Sequence, residues 1–182
     1  MKPYIRLCFK TYVFTLFFLI TGFLSCSYAL MEGMSTRKLS VASGLVIRGE
    51  VIDVVSRWTE DKKAIFSTAS VRVEEVVAGS CDQEIVSVVY DGGIVDGIGM
   101  KVSDSPSFEK GETVVLFLSS DLKMEKDRAY RVYGRAQGKY CIGNDNIARK
   151  RGFSLGSKED LVENDLPVDE LIRKIKAYRN EE

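Results

Sequence analysis

Histidine is absent from all 182 residues. That gap removes Ser-His-Asp and Cys-His catalysis, histidine-ligated zinc and the commonest general base near neutral pH. No Cys-x-x-C pair occurs, so a thioredoxin-like redox motif is excluded. Dense positive charge is missing too. The chain has 26 basic and 26 acidic side chains, and Lys2, Arg6 and Lys10 lie in an N-terminal segment without acids, which leaves 23 basic against 26 acidic beyond residue 29. A mildly acidic domain has no footprint for DNA or RNA, whose binding rests on clustered Lys and Arg against phosphates.

What is present begins with an export signal. Lys2 to Lys10 is basic, Tyr12 to Leu24 is an apolar block, and Ser27 and Ala29 occupy the small-residue positions of a cleavage site. Cleavage after Ala29 is the first expectation. Two other readings stay open. The 21 uncharged residues from Thr11 to Met31 just reach the length of a membrane anchor, and Phe23-Leu24-Ser25-Cys26 resembles a degenerate lipobox. All three place the following domain outside the cytoplasm, secreted, periplasmic or membrane-anchored, because the basic flank stays inside.

Residues 30–43 lack sustained periodicity and are expected to be a linker. A domain is expected over 44–155, followed by a C-terminal loop and helix over 156–182 that packs on it. Leu45 to Val55, Ile65 to Val77 and Ile85 to Tyr90 are rich in β-branched residues and predict strands, with Gly49 marking a bend in the first. In the second, alternation puts Ile65, Ser67, Ala69 and Val71 on the inner face. Phe108 is the single aromatic of a turn and is expected to plug one end of a barrel. Thr113 to Leu118 is an unbroken apolar run that predicts a strand covered on both faces, with Val115 and Phe117 expected on or near the inside and Leu116 covered on the opposite side by the C-terminal helix or a loop. Tyr130 to Tyr133 and Lys139 to Ile142 predict two short strands. Val168, Leu171, Ile172, Ile175 and Tyr178 fall at helical spacing behind Pro167. The fold class is therefore mostly β: a small OB-like barrel, closed or partly open, with a C-terminal amphipathic helix.

The pattern Val46-x-x-Gly49-x-Val51, Trp58, Val76-Val77-Ala78-Gly79, Gly92-Gly93, Pro106-x-Phe108-x-x-Gly111-Glu112, Leu116-Phe117-Leu118 and Tyr133-Gly134 resembles a group of exported bacterial proteins. In fold these are similar to the netrin-like OB barrel of tissue inhibitors of metalloproteinases. The resemblance covers residues 44 to about 180 and implies fold more than activity. The inhibitors act through an N-terminal Cys-x-Cys, whereas Cys26-Ser27-Tyr28 lacks the second cysteine and cleavage after Ala29 removes the first.

Candidate chemistry is sparse. Cys81 and Cys141 either form a disulfide, which an exported compartment permits, or pack as separate thiols. Asp91, Asp96 and Asp104 flank a glycine-rich loop but lack EF-hand spacing, so turn acids making local hydrogen bonds is the plainer reading. Ser35-x-x-Lys38 and Ser120-x-x-Lys123 match the spacing of penicillin-recognising enzymes without their other elements. Arg149-Lys150-Arg151 with Lys139 is the one basic cluster of the domain and is expected as solvated loop rather than as a site for anionic lipid headgroups or a polyanion; Tyr130, Tyr133 and Tyr140 are expected at the half-buried edge of the core rather than as a stacking face. The expected function is a non-enzymatic binding module without cofactor or metal. It would hold a protein, peptide or envelope polymer through loops carrying Asp91, Gly92, Gly93, Asp96 and Lys123, and meet membrane only through its N-terminal segment. The alternatives are a carboxylate-dependent extracytoplasmic hydrolase, using Asp91 with Asp96 or Glu112, and a membrane-anchored envelope structural protein.

Overall fold

Five antiparallel and parallel pairings close into a ring. β1 (Leu45–Trp58) pairs antiparallel with β2 (Ile65–Ala78), and β2 antiparallel with β3 (Ile85–Asp91). β3 meets β7 (Tyr130–Val132) in parallel; β7 pairs antiparallel with β6 (Thr113–Ser120), and β6 returns antiparallel to β1. The result is a closed five-stranded OB-like barrel in a mostly β chain. The structure, a computed structural model, describes residues 33–120, 129–152 and 163–181. The expected export segment with Cys26, and Lys123, lie outside these residues. Among the described residues no helix is long and apolar enough to cross a membrane.

A short β4 (Gly93–Val95) and β5 (Ile98–Met100) make a separate two-stranded sheet, and β8 (Lys139–Ile142), β9 (Ile147–Arg149) and β10 (Leu166–Pro167) extend the main sheet beyond β6. Closure depends on bending β1, which has three register shifts against β2, one of them at Arg48/Gly49. A Cβ on Gly49 would collide with the Arg72 carbonyl oxygen, so only glycine lets the two strands cross this closely.

Two apolar cores share the barrel wall. Inside lie Ile47, Val51, Ala69, Val71, Leu116 and Leu118, with Phe108 closing one end against Tyr90 at 5.2 Å between ring centroids. The inner face of β2 and the Phe108 plug are thus as expected. Outside the wall, Val115, Phe117 and Tyr140 pack under α1 (Thr36–Ala42) and α2 (Val168–Asn180) through Leu39, Leu171 and Ile175. This reverses the expected parity of β6: Leu116 faces the interior and Val115 and Phe117 face the helices. An unbroken apolar strand satisfies both faces equally, so alternation along TVVLFL carries no information about which is which.

The expected linker over 30–43 is also corrected, because residues 36–42 are helical. Ser35 caps the helix by accepting the Lys38 N–H at 3.2 Å, and Leu39 is fully buried against the outer core. A helix of 7 residues anchored by one leucine leaves no periodic trace in the sequence.

Candidate functional site

Among the described residues a concavity opens beside the end of β3. Tyr90 to Gly93 line its floor; one wall is the β4–β5 hairpin through Ile94, Gly99 and Met100, with Lys101 and Val102, and the other is Ser105 to Ser107, around a volume of about 540 Å³. Local chemistry explains the wall. Asp96 and Gly97 both take positive φ, 52° and 76°, the two-residue turn of a tight hairpin, and Asp-Gly between Ile94-Val95 and Ile98 is the sequence form of that turn. Gly93 (φ 139°) tucks the hairpin against the barrel mouth, where any Cβ would strike the Ser56 and Ser67 hydroxyls. Those hydroxyls bond each other at 2.8 Å, and Ser67 donates to the Gly92 carbonyl at 2.6 Å. The opposite wall is tied down by Ser105 Oγ donating to the Asp91 carbonyl at 2.7 Å. The hairpin escaped the strand reading because each arm is only three residues long, although its Asp-Gly signal was in plain sight.

Asp91, Gly92 and Gly93 therefore meet at one site, with Asp96 at the hairpin tip. Their chemistry is not that of a carboxylate pair. Arg131 holds the Asp91 carboxylate at 3.4 Å, and Glu112 lines the adjoining pocket instead. Among the described residues no group of three or more carboxylate or thiol side chains is placed to hold a metal ion.

The adjoining pocket, about 140 Å³, shares Ser107 and Gly152 with the cleft. Lys139 is its structural centre: Nζ donates to Glu112 Oε2 at 2.6 Å and to the Ser107 carbonyl, and sits 4.4 Å from the centre of the Phe108 ring. This ion pair is mostly buried and clamps the plug loop to β8. Cys141 lines the same pocket. Burial pushes its thiol up to about 11, with Lys139 pulling weakly the other way, so the nucleophilic thiolate is scarce at neutral pH. Of the two readings of Cys81 and Cys141, the structure has the unbridged one. Cys141 and Cys81 are separate thiols, Cys81 packing against the barrel core and donating to the Gln83 carbonyl at 3.7 Å. Non-reducing peptide mapping is expected to return both as free thiols; a Cys81–Cys141 bridged peptide would contradict their placement.

The basic run is not the solvated loop expected. Arg149 lies on β9 and pairs with Asp145 at 2.7 Å and Asp165 at 3.0 Å. Lys150 is 5% exposed, its Nζ has no hydrogen-bond partner among the described residues, and it rests 4.7 Å from the Tyr140 ring centre. Burial lowers its ammonium to about 8, opposed in part by Glu163. Tyr140 is fully buried rather than at the core edge, its hydroxyl shared with Thr36 Oγ1 at 2.9 Å and the Glu163 carbonyl at 3.0 Å. Only Arg151 of the three basic residues is exposed. No protein-family model matches the chain, and no curated protein is significantly similar to it.

Proposed function

We propose that the protein is an exported, non-enzymatic binding module that holds a protein, peptide or envelope polymer against the cleft beside the β4–β5 hairpin. The observation that carries this reading is Ile94, 71% exposed on β4 and lining the cleft. A large apolar side chain held in solvent at a concavity favours a partner that covers it, since burying an isoleucine is worth about 1.5–3 kcal/mol. The hydrolase alternative is less well supported, because Asp91 and Glu112 are each engaged by a cation in neighbouring but different pockets. The basic-then-apolar N-terminal segment supports action outside the cytoplasm. The netrin-like resemblance is in keeping with an OB-like barrel used as a scaffold for loops.

The test is retention of an envelope partner by the full chain. The variant Ile94→Asp is expected to bind roughly tenfold or more weakly, with an unchanged melting temperature, because the side chain is already in water in the free protein. Equal binding would move the site elsewhere. Sustained hydrolysis of a peptide, ester or glycoside, lost in folded Asp91→Asn or Glu112→Gln protein, would replace the binding reading with the enzyme.

A further inference from the structure

One wall of the cleft is an unfinished sheet. Among the described residues β5 pairs with β4 alone, in the register Gly93↔Met100, Ile94↔Gly99 and Val95↔Ile98. Val95 and Ile98 flank a two-residue turn and are the hydrogen-bonded closing pair, so by antiparallel alternation Ile94 and Gly99 form the pair without mutual bonds. The Gly99 N–H and C=O therefore point away from β4, along a strand edge whose Gly99 and Met100, with the following Lys101, line the cleft. Gly99 also leaves open the face beside Ile94, since a Cβ there would lie 3.8 Å from Ile94 Cγ1 and nothing else is as near. A guest side chain opposite Gly99 can reach Ile94 across that gap. Charge supplies the remaining constraint. Lys101 lines the cleft and Arg151 lines the pocket that continues from it past Ser107 and Gly152; both are exposed and neither forms an ion pair among the described residues.

We propose that the cleft receives an extended polypeptide segment of a partner protein, added as a third strand on the free edge of β5, with apolar side chains against Ile94 and flanking carboxylates at Lys101 and Arg151. This inference rests on the binding reading of the cleft and names its ligand class. Main-chain bonds to Gly99 supply affinity that is indifferent to sequence, while Ile94 and the two cations select an apolar segment flanked by acids.

The test uses a library of random octapeptides selected against the purified full chain. Enriched peptides are expected to carry β-branched or aromatic residues flanked by Asp or Glu, and to lose about tenfold in affinity for Gly99→Pro, which removes one outward donor. An N-methyl scan of an enriched peptide reads the same geometry without altering the protein. Affinity should fall at every second amide, as a strand guest presents alternate amides to its neighbour. The joint variant Lys101→Glu/Arg151→Glu should turn the preference toward basic flanks. Enriched peptides that need Ile94 but show no period-two N-methyl pattern would overturn strand addition and leave the cleft as the binding site. Failure to enrich any peptide would overturn the polypeptide ligand and favour an envelope polymer. Enriched peptides that bind Ile94→Asp undiminished would overturn both.

Discussion

Phe117→Ala is expected to cost about 3–5 kcal/mol, the usual price of a fully buried phenylalanine, and so to remove much of a stability of roughly 5–15 kcal/mol. Phe117 is fully buried and its ring stands 6.2 Å from that of Tyr140, between the barrel wall and the two helices. Its loss opens a cavity in the outer core while Ile47, Leu116 and Leu118 still fill the barrel. The damage should therefore be regional. Hydrogen exchange is expected to accelerate most at the amides of α2, whose Leu171 and Ile175 pack in the same core, and less at those of β2 and β3. Leu116→Ala, on the opposite face of the same strand, should instead expose the barrel amides together with the global transition. Urea unfolding with exchange mass spectrometry distinguishes the two. An unchanged melting temperature for Phe117→Ala, or faster exchange confined to the barrel, would contradict the assignment of Phe117 to the outer layer.

That assignment also marks where the sequence stopped being legible. The barrel strands, the bend at Gly49, the Phe108 plug and α2 were readable, because each has its own periodicity, glycine or aromatic marker. Parity along β6 was not, since a strand covered on both faces has no polar side to mark the outside. α1 was not either: its one buried leucine and its cap at Ser35 are intelligible only once the outer core exists to receive them. At the cleft, Asp91, Gly92, Gly93 and Asp96 were read as a loop of interest from glycine and acid content alone. Ile94 and Ile98 passed unnoticed because nothing local tells an exposed isoleucine from a buried one. Lys150 was misread for the converse reason, as a lysine in a basic run gives no sign that tertiary packing will close over it.

Lys150→Met is expected to stabilise the protein at neutral pH, a reversal of the usual effect of a buried substitution. The folded-state ammonium titrates near 8 against 10.5 for the ordinary group, lowered first by burial. Over that interval the unfolded chain binds more protons than the folded one, so this residue makes stability rise as pH goes from about 8 to about 10.5. Below about 8 both states are protonated and the full penalty applies, on the order of 3 kcal/mol for a shift of this size. The attraction of the ammonium to the Tyr140 ring, about 1 kcal/mol, offsets part of any gain from removing it. Methionine keeps the length and the contact with the ring, and leaves no donor without an acceptor. The variant should therefore exceed the wild type by about 2 kcal/mol at pH 7, with the difference shrinking toward zero or below by about pH 10. Taking the difference between two chains cancels the tyrosines and other lysines that titrate in the same range. Chemical unfolding at a series of pH values measures it. A constant difference across the series would mean that Lys150 keeps its ordinary titration, and a less stable variant at pH 7 would mean that the ammonium has found a partner.

The central claim, that the cleft beside the β4–β5 hairpin is the working surface, is tested most directly by photo-crosslinking in the living source cells. A benzophenone side chain is introduced in the full chain at Ile94, which is 71% exposed and lines the cleft, or at Ile85, which is 48% exposed at the start of β3 and outside the cleft. The expected result is one discrete adduct from Ile94 and none from Ile85. Adducts from Ile85 alone, or none from Ile94 when the protein is present at its normal level, would contradict the claim.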